Sequence, residues 1–167
     1  DEVGRGWVYR IEGSDKEDGP GNGSPYQERD PAEVATTTLP LGCQQRSALR
    51  PPVRVLQATY GKGDDSYAVA LRLRFDSAAR ARQFKDDREA DLRACLGQPD
   101  DPYSGTAAPV QSVDGSSGMT RTTYEYPGDD RPWTSLLVHA GPDVLTVDAN
   151  PEEPSQMKWA ELEAWLQ

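Results

Sequence analysis

The sequence predicts an α+β fold: an antiparallel sheet with a long helix (about residues 77–96) and a C-terminal helix packed on one face. Three observations predict it. The stretch "YAVALRLRF" (67–75) alternates apolar and small or charged residues with the two-residue period of a strand. The residues directly after it place Ala78, Ala81, Phe84, Arg88, Leu92 and Cys95 at spacings of three and four, an amphipathic helical stripe. Strand-like segments then run to residue 149, and the chain closes on "SQMKWAELEAWLQ", which is helical in pattern. Strands followed by covering helices read as α+β.

In chain order, "VGRGWVYRI" (3–11) sets Trp7, Tyr9 and Ile11 on one side and suits a short strand. Residues 12–38 turn polar and rich in Gly, Pro, Ser and acids, with no apolar repeat. They read as a linker or long loop, or as a segment ordered only by docking. "LPLGCQQRSALRPP" (39–52) is a Pro/Gly-bounded loop with one helical turn around Gln44–Leu49. "VRVLQATY" (53–60) and the 67–75 strand form a hairpin across "GKGDDS". Tyr67, Val69, Leu71, Leu73 and Phe75 share one face of it, and Ala68, Ala70, Arg72 and Arg74 the other.

Asp76 or Ser77 caps the long helix by accepting an orphan backbone N–H, and Gly97 sits just past its end. Arg88 is the one polar interruption of the stripe. "VQSV" (110–113) is a weak strand and "MTRTTYEY" (119–126) a stronger one. "PWTSLLVHA" (132–140) and "DVLTVDA" (143–149) flank Gly141-Pro142 as a tight hairpin. In the C-terminal segment Trp159, Leu162 and Leu166 fall on one side. The expected organisation is an N-terminal strand plus polar flexible segment (1–38) and a single α+β domain (39–167).

Composition narrows the function. Twenty-eight acidic against 18 basic residues give a net charge of −10, with no basic stripe. Nucleic acid is therefore not an expected partner, and adhesion to anionic lipid is disfavoured. No apolar run reaches membrane-spanning length, so membrane contact is expected only through a removed lipid anchor. Fourteen arginines against four lysines, one isoleucine and two asparagines follow the usage of high-GC genomes, as in actinobacteria.

The two cysteines, Cys43 and Cys95, are expected to form a disulfide; two separate buried thiols are the alternative. Two cysteines 52 residues apart with one histidine lack the spacing of a zinc tetrad, and no metal or cofactor is expected.

From the strand at 67–75 through "DSAARARQFKDDREADLRACLG", the chain resembles the extracytoplasmic sensor-type domains of actinobacterial envelope proteins. Those include the outer domains of mycobacterial serine/threonine kinases and related secreted lipoproteins. In that family a strand leads into a helix that ends in a cysteine. Phe75, Ala78, Ala79, Phe84 and Cys95 match that layout, and Cys43 in "LPLGC" matches the upstream half of such a bridge. The match spans about residues 39–100. Some members carry a second disulfide, for which this chain has no cysteines. The resemblance implies a secreted or lipid-anchored sensing or regulatory module without catalysis of its own.

The chemistry-bearing residues are few. His139 is the sole histidine and would have to be the base of any Ser/His/Asp site. "GSSG" (115–118) is not the nucleophile-elbow pattern and reads as a turn. The pairs Asp64–Asp65, Asp86–Asp87, Asp100–Asp101 and Asp129–Asp130 form no calcium loop and read as turn and solubility residues. Arg72 and Arg74 offer forked donors beside small residues and are candidate ligand-binding residues. Trp133 and His139 share a strand face that either lines the same side or does not; alternation leaves this open. Trp159 and Trp165 are candidate partner-binding residues. The expected function is a non-catalytic extracytoplasmic ligand-binding or regulatory module of the cell envelope, recognising an envelope protein or a small envelope ligand. An envelope hydrolase using carboxylates or His139, and a structural lipoprotein binding a protein partner, are the alternatives.

Overall fold

The alternating stretch at 67–75 becomes the central strand of the molecule. The computed structural model describes residues 8–10, 27–37, 43, 48–62, 66–96, 110–116, 118–125 and 131–150. Their elements are β1 (Val8–Arg10), β2 (Gln27–Arg29), α1 (Pro31–Thr37), β3 (Arg54–Lys62), β4 (Ser66–Arg74), α2 (Ala78–Ala94), β5 (Val110–Ser116), β6 (Met119–Tyr124), β7 (Trp133–Ala140) and β8 (Asp143–Asn150). All eight strands join one sheet of order β1-β3-β4-β8-β7-β6-β5, with β2 also on β3. Every pairing is antiparallel.

The expected hairpins form. β3 and β4 pair from Arg54↔Arg74 to Lys62↔Ser66. β7 and β8 close on Ala140↔Asp143. Gly141, at φ +59°, supplies the left-handed residue, and Pro142 follows with its ring-fixed φ, as in a II′ loop. "GSSG" is split: Gly115 and Ser116 end β5, and Gly118, at φ +95°, lies in the turn to β6.

β1 and β2 occupy one edge together. Arg10 faces Thr59 and Gln27 faces Gln57, so the two read as one edge strand interrupted between them. The segment 27–37, where sequence gave a loop or a docked segment, forms β2 and α1. Asp30 caps α1 through its carboxylate, 2.8 Å from the Ala32 N–H, and Pro31 takes the first helical position. Val34 and Ala35 are buried, and Val34 packs in a cluster with Val55, Leu73, Phe75, Ala81 and Phe84.

Ser77 caps α2 with extended backbone and accepts from the Arg80 N–H at 3.3 Å. Cys95 ends the helix and is bonded to Cys43, with the Cα atoms 5.6 Å apart. The bridge packs with Leu92, Val110 and Val113. α2 carries the chain from β4 to the far edge at β5, and β5 through β8 return as a meander to β4. One sheet face, bearing Val55, Leu73, Leu137 and Val144, lies under the helices. The other face buries its own apolar cluster of Ala68, Leu136, Val138, Val147 and Ala149.

This corrects the expected fold class, an α+β sheet with a long helix and a C-terminal helix on one face. The described chain is mostly one antiparallel sheet. Its longest helix has 17 residues rather than the span 77–96, and the second helix is the seven-residue α1, near the N-terminus. The C-terminal helix expected at 155–167 lies outside the described residues, as does Gly97. The physical reason is that period-two patterning continues through four successive strands after α2. They widen the sheet to seven positions and give it apolar side chains on both faces. No helix among the described residues is long and apolar enough to cross a membrane.

Candidate functional site

Three residues of α2 at four-residue spacing, Phe84, Arg88 and Leu92, share one stripe and look onto the sheet. Below them the register sets Thr122 opposite Ser135, Ser135 opposite Asp148, and Leu137 opposite Thr146. Alternation turns Ser135 and Leu137 of β7, and Thr146 and Asp148 of β8, toward the helix, with Tyr124 of β6 beside them. Together these side chains enclose a cavity of about 20 Å³. That is room for one water-sized molecule.

The walls of this cavity are unusually polar for the space between a helix and a sheet. Arg88 is 1% exposed. Its Nη2 donates to the Ala35 carbonyl at 2.7 Å. This satisfies an acceptor near the end of α1, a helix with no basic residue in its own last turn. The guanidinium also stands 5.4 Å from the centre of the Phe84 ring. Its Nε and Nη1 are buried and have no hydrogen-bond partner among the described residues, and the same holds for the Thr146 hydroxyl. Burial lowers the Arg88 pKa from 12.5 to about 10, partly opposed by the charge of Asp91. The group stays cationic at neutral pH.

Asp148 responds in the opposite sense. Burial raises its pKa, while hydrogen bonds from Ser135 and Tyr124 pull it down. The Tyr124 hydroxyl lies 3.3 Å from Asp148 Oδ1, and the Tyr124 ring stacks on Trp133 at 6.4 Å. A cation with two unpartnered nitrogens, a hydroxyl and a carboxyl group thus line one small space. Such a set offers hydrogen-bonding groups to a molecule the size of water.

The residues singled out from sequence divide between the two faces. Arg72 and Arg74 lie on the face away from α2, half-exposed, and both reach Asp143 Oδ2, at 2.8 and 3.2 Å. Trp133 and His139 lie on the α2 face; His139 Nε2 is 3.2 Å from the Ala78 carbonyl oxygen. The structure therefore does not bring these four together. Trp159 and Trp165 lie outside the described residues. Among the described residues no three His, Cys, Asp or Glu side chains cluster as metal ligands would. Sequence reading missed Tyr124, Ser135, Thr146 and Asp148. A signal existed: Thr146 and Asp148 share the face of buried Val144, where polar side chains need partners.

Comparison with protein-family models gives no match, and comparison with curated protein sequences gives none either. Comparison with solved structures does find the fold, in a bacterial extracellular domain. That neighbour is the extracellular domain of PknH from Mycobacterium tuberculosis, similar at a TM-score of 0.54 and 15% identity, over 66% of this chain and 63% of that one. The matched part is thus less than two thirds of the neighbour, and at this identity the likeness is one of fold.

Proposed function

We propose that this chain is an extracytoplasmic, non-catalytic binding module of sensor type, and that the cavity under Arg88 is where it recognises a small polar ligand. The observation that carries the reading is the Arg88 guanidinium, buried with two nitrogens unpartnered, in the lining of a cavity that Thr146 and Asp148 also line. Native proteins rarely leave such groups unsatisfied without a functional reason or a bound solvent molecule. The fold shared with an extracellular domain and the Cys43–Cys95 bridge support an oxidising location outside the cytoplasm. A secreted or lipid-anchored attachment to the cell envelope is part of the same proposal.

Occupancy has a route to the rest of the molecule. Arg88 touches α1 through Ala35, and α2 is fixed at its far end by the disulfide. A ligand that engages Arg88 changes how α2 sits on the sheet, which is a readout a partner can sense. The test titrates the disulfide-bonded chain with formate, formamide and methanol, probes of the few-atom size the cavity can take, while amide exchange is followed along α2. A compound that slows exchange in α2, and loses that effect in Arg88→Met, supports the assignment. No response across the panel, or an equal response in Arg88→Met, removes it.

A further inference from the structure

A second recess also uses Phe84 as a wall. Leu49 and Arg50, from the segment before β3, face Arg80 and Gln83 of α2 across it, and Phe75 and Phe84 form its apolar lining. It encloses about 50 Å³. Leu49 packs against the buried cluster that holds Phe75 and Phe84, so this lining is continuous with the core.

Two arginines border this recess. The chain has 28 acidic residues for 18 basic ones. Accordingly Arg29, Arg54, Arg72, Arg74 and Arg93 all reach carboxylates. The side chains of Arg50 and Arg80 form no hydrogen bond or ion pair among the described residues, although both border the same apolar space. Asp87 also borders the recess and has an interaction of its own. Two cations and one anion leave a single positive charge, which matches a monoanion better than a phosphate dianion. The guanidinium fork fits a carboxylate, and the apolar lining fits a compact hydrocarbon group.

We propose that this recess binds a small organic monocarboxylate, with the carboxylate on Arg50 and Arg80 and its apolar body against Leu49, Phe75 and Phe84. The site is separate from the Arg88 cavity, and its ligand class does not depend on that reading.

The experiment follows backbone amide shifts of the full disulfide-bonded chain at constant ionic strength and neutral pH. The probes are isobutyrate, acetate, isobutanol and inorganic phosphate. Isobutyrate should shift the amides of 48–50 and 80–87 saturably. Acetate, lacking the apolar body, should bind several-fold more weakly, isobutanol should not saturate, and phosphate should bind more weakly than isobutyrate. Arg50→Gln and Arg80→Gln should each weaken isobutyrate about tenfold. Both side chains border open space, and the amide spectrum reports directly whether each variant is folded. Arg88→Met should retain binding. The proposal is overturned by an absence of saturable shifts up to the solubility limit of isobutyrate, or by phosphate binding as tightly as isobutyrate. Unchanged binding in the Arg50→Gln/Arg80→Gln double variant also overturns it, as does loss of binding in Arg88→Met.

Discussion

Replacing Arg88 by methionine should cost this protein less stability than replacing it by alanine. The displacement of its pKa from 12.5 to about 10 corresponds to about 3 kcal/mol against the buried charge. On the other side stand one charged hydrogen bond to the Ala35 carbonyl, worth about 1.5–3 kcal/mol, and a ring contact with Phe84 worth about 0.5–2 kcal/mol. The two sides nearly cancel. Methionine keeps most of the length and fills the same space with no idle donors. Removing the cation also leaves the Ala35 carbonyl without its donor and the buried Asp91 carboxylate without its counter-charge, so Arg88→Met should cost about 1–3 kcal/mol. Arg88→Ala loses the packing of the stem as well and should cost about 2–5 kcal/mol.

The assay is urea unfolding with the disulfide intact, checked by thermal melting, where 1 kcal/mol moves Tm by about 2–4 °C at this chain length. A methionine variant as damaged as the alanine variant would refute the reasoning. It would mean that the guanidinium is a net structural prop with its donors satisfied, and the case for a ligand at Arg88 would fall with it.

The remaining expectations concern the supports of α2. Thiol titration of the unfolded, unreduced chain should find no free thiol, and a Cys43→Ser/Cys95→Ser variant should lose about 4 kcal/mol in urea unfolding, the loop-closure value for a 52-residue separation. Glu89 is held by Lys85, Thr120 and Arg93, and these contacts outweigh burial to lower its pKa from 4.5 to about 2. Its stabilisation is present above about pH 4.5 and is lost as the pH falls toward about 2, so in Glu89→Gln this part of the acid limb should flatten in a stability-versus-pH series. A methyl group on Gly115 would meet the Glu89 carboxylate and stand 2.8 Å from Arg93 Nη2. Gly115→Ala should accordingly cost about 1–3 kcal/mol in the same unfolding assay, and a neutral result would show that this ion cluster yields freely.

Much of this architecture is local enough to read from residues. β4 announces itself by alternation, β7 and β8 by Gly141-Pro142, and α2 by Ser77 and its apolar spacing. α1 carried its signature too, an Asp cap followed by Pro31, but with only Val34 and Ala35 to bury it was submerged in polar neighbours. The shared edge of β1 and β2 was not legible, because both are defined only by a partner about 30 or more residues away. The same limit governed the site. Alternation placed Trp133 and His139 on one side of β7 but could not say which side of the sheet that was. Only the pairing of Ser135 with Asp148, and of Asp148 with Val69, turns them toward α2 and away from Arg72.

Arg88 and Glu89 are consecutive residues on one helix, and the fold treats them oppositely. Both Glu89 oxygens are engaged: Oε2 by Lys85 Nζ at 2.6 Å and the Thr120 hydroxyl at 2.7 Å, Oε1 by Arg93 Nη2 at 2.8 Å. The neighbouring guanidinium is more deeply buried, yet only one of its three nitrogens has a partner among the described residues. The same helix that satisfies one charge so fully leaves the next with two unpartnered nitrogens, although Asp148 of a facing strand lines the same cavity. Local consistency fails at Arg88, which lines the same small cavity as Asp148, a carboxyl whose pKa burial has raised. Buried polar groups left without partners are expected at functional sites, and the space lined by Arg88 has room for a molecule the size of water.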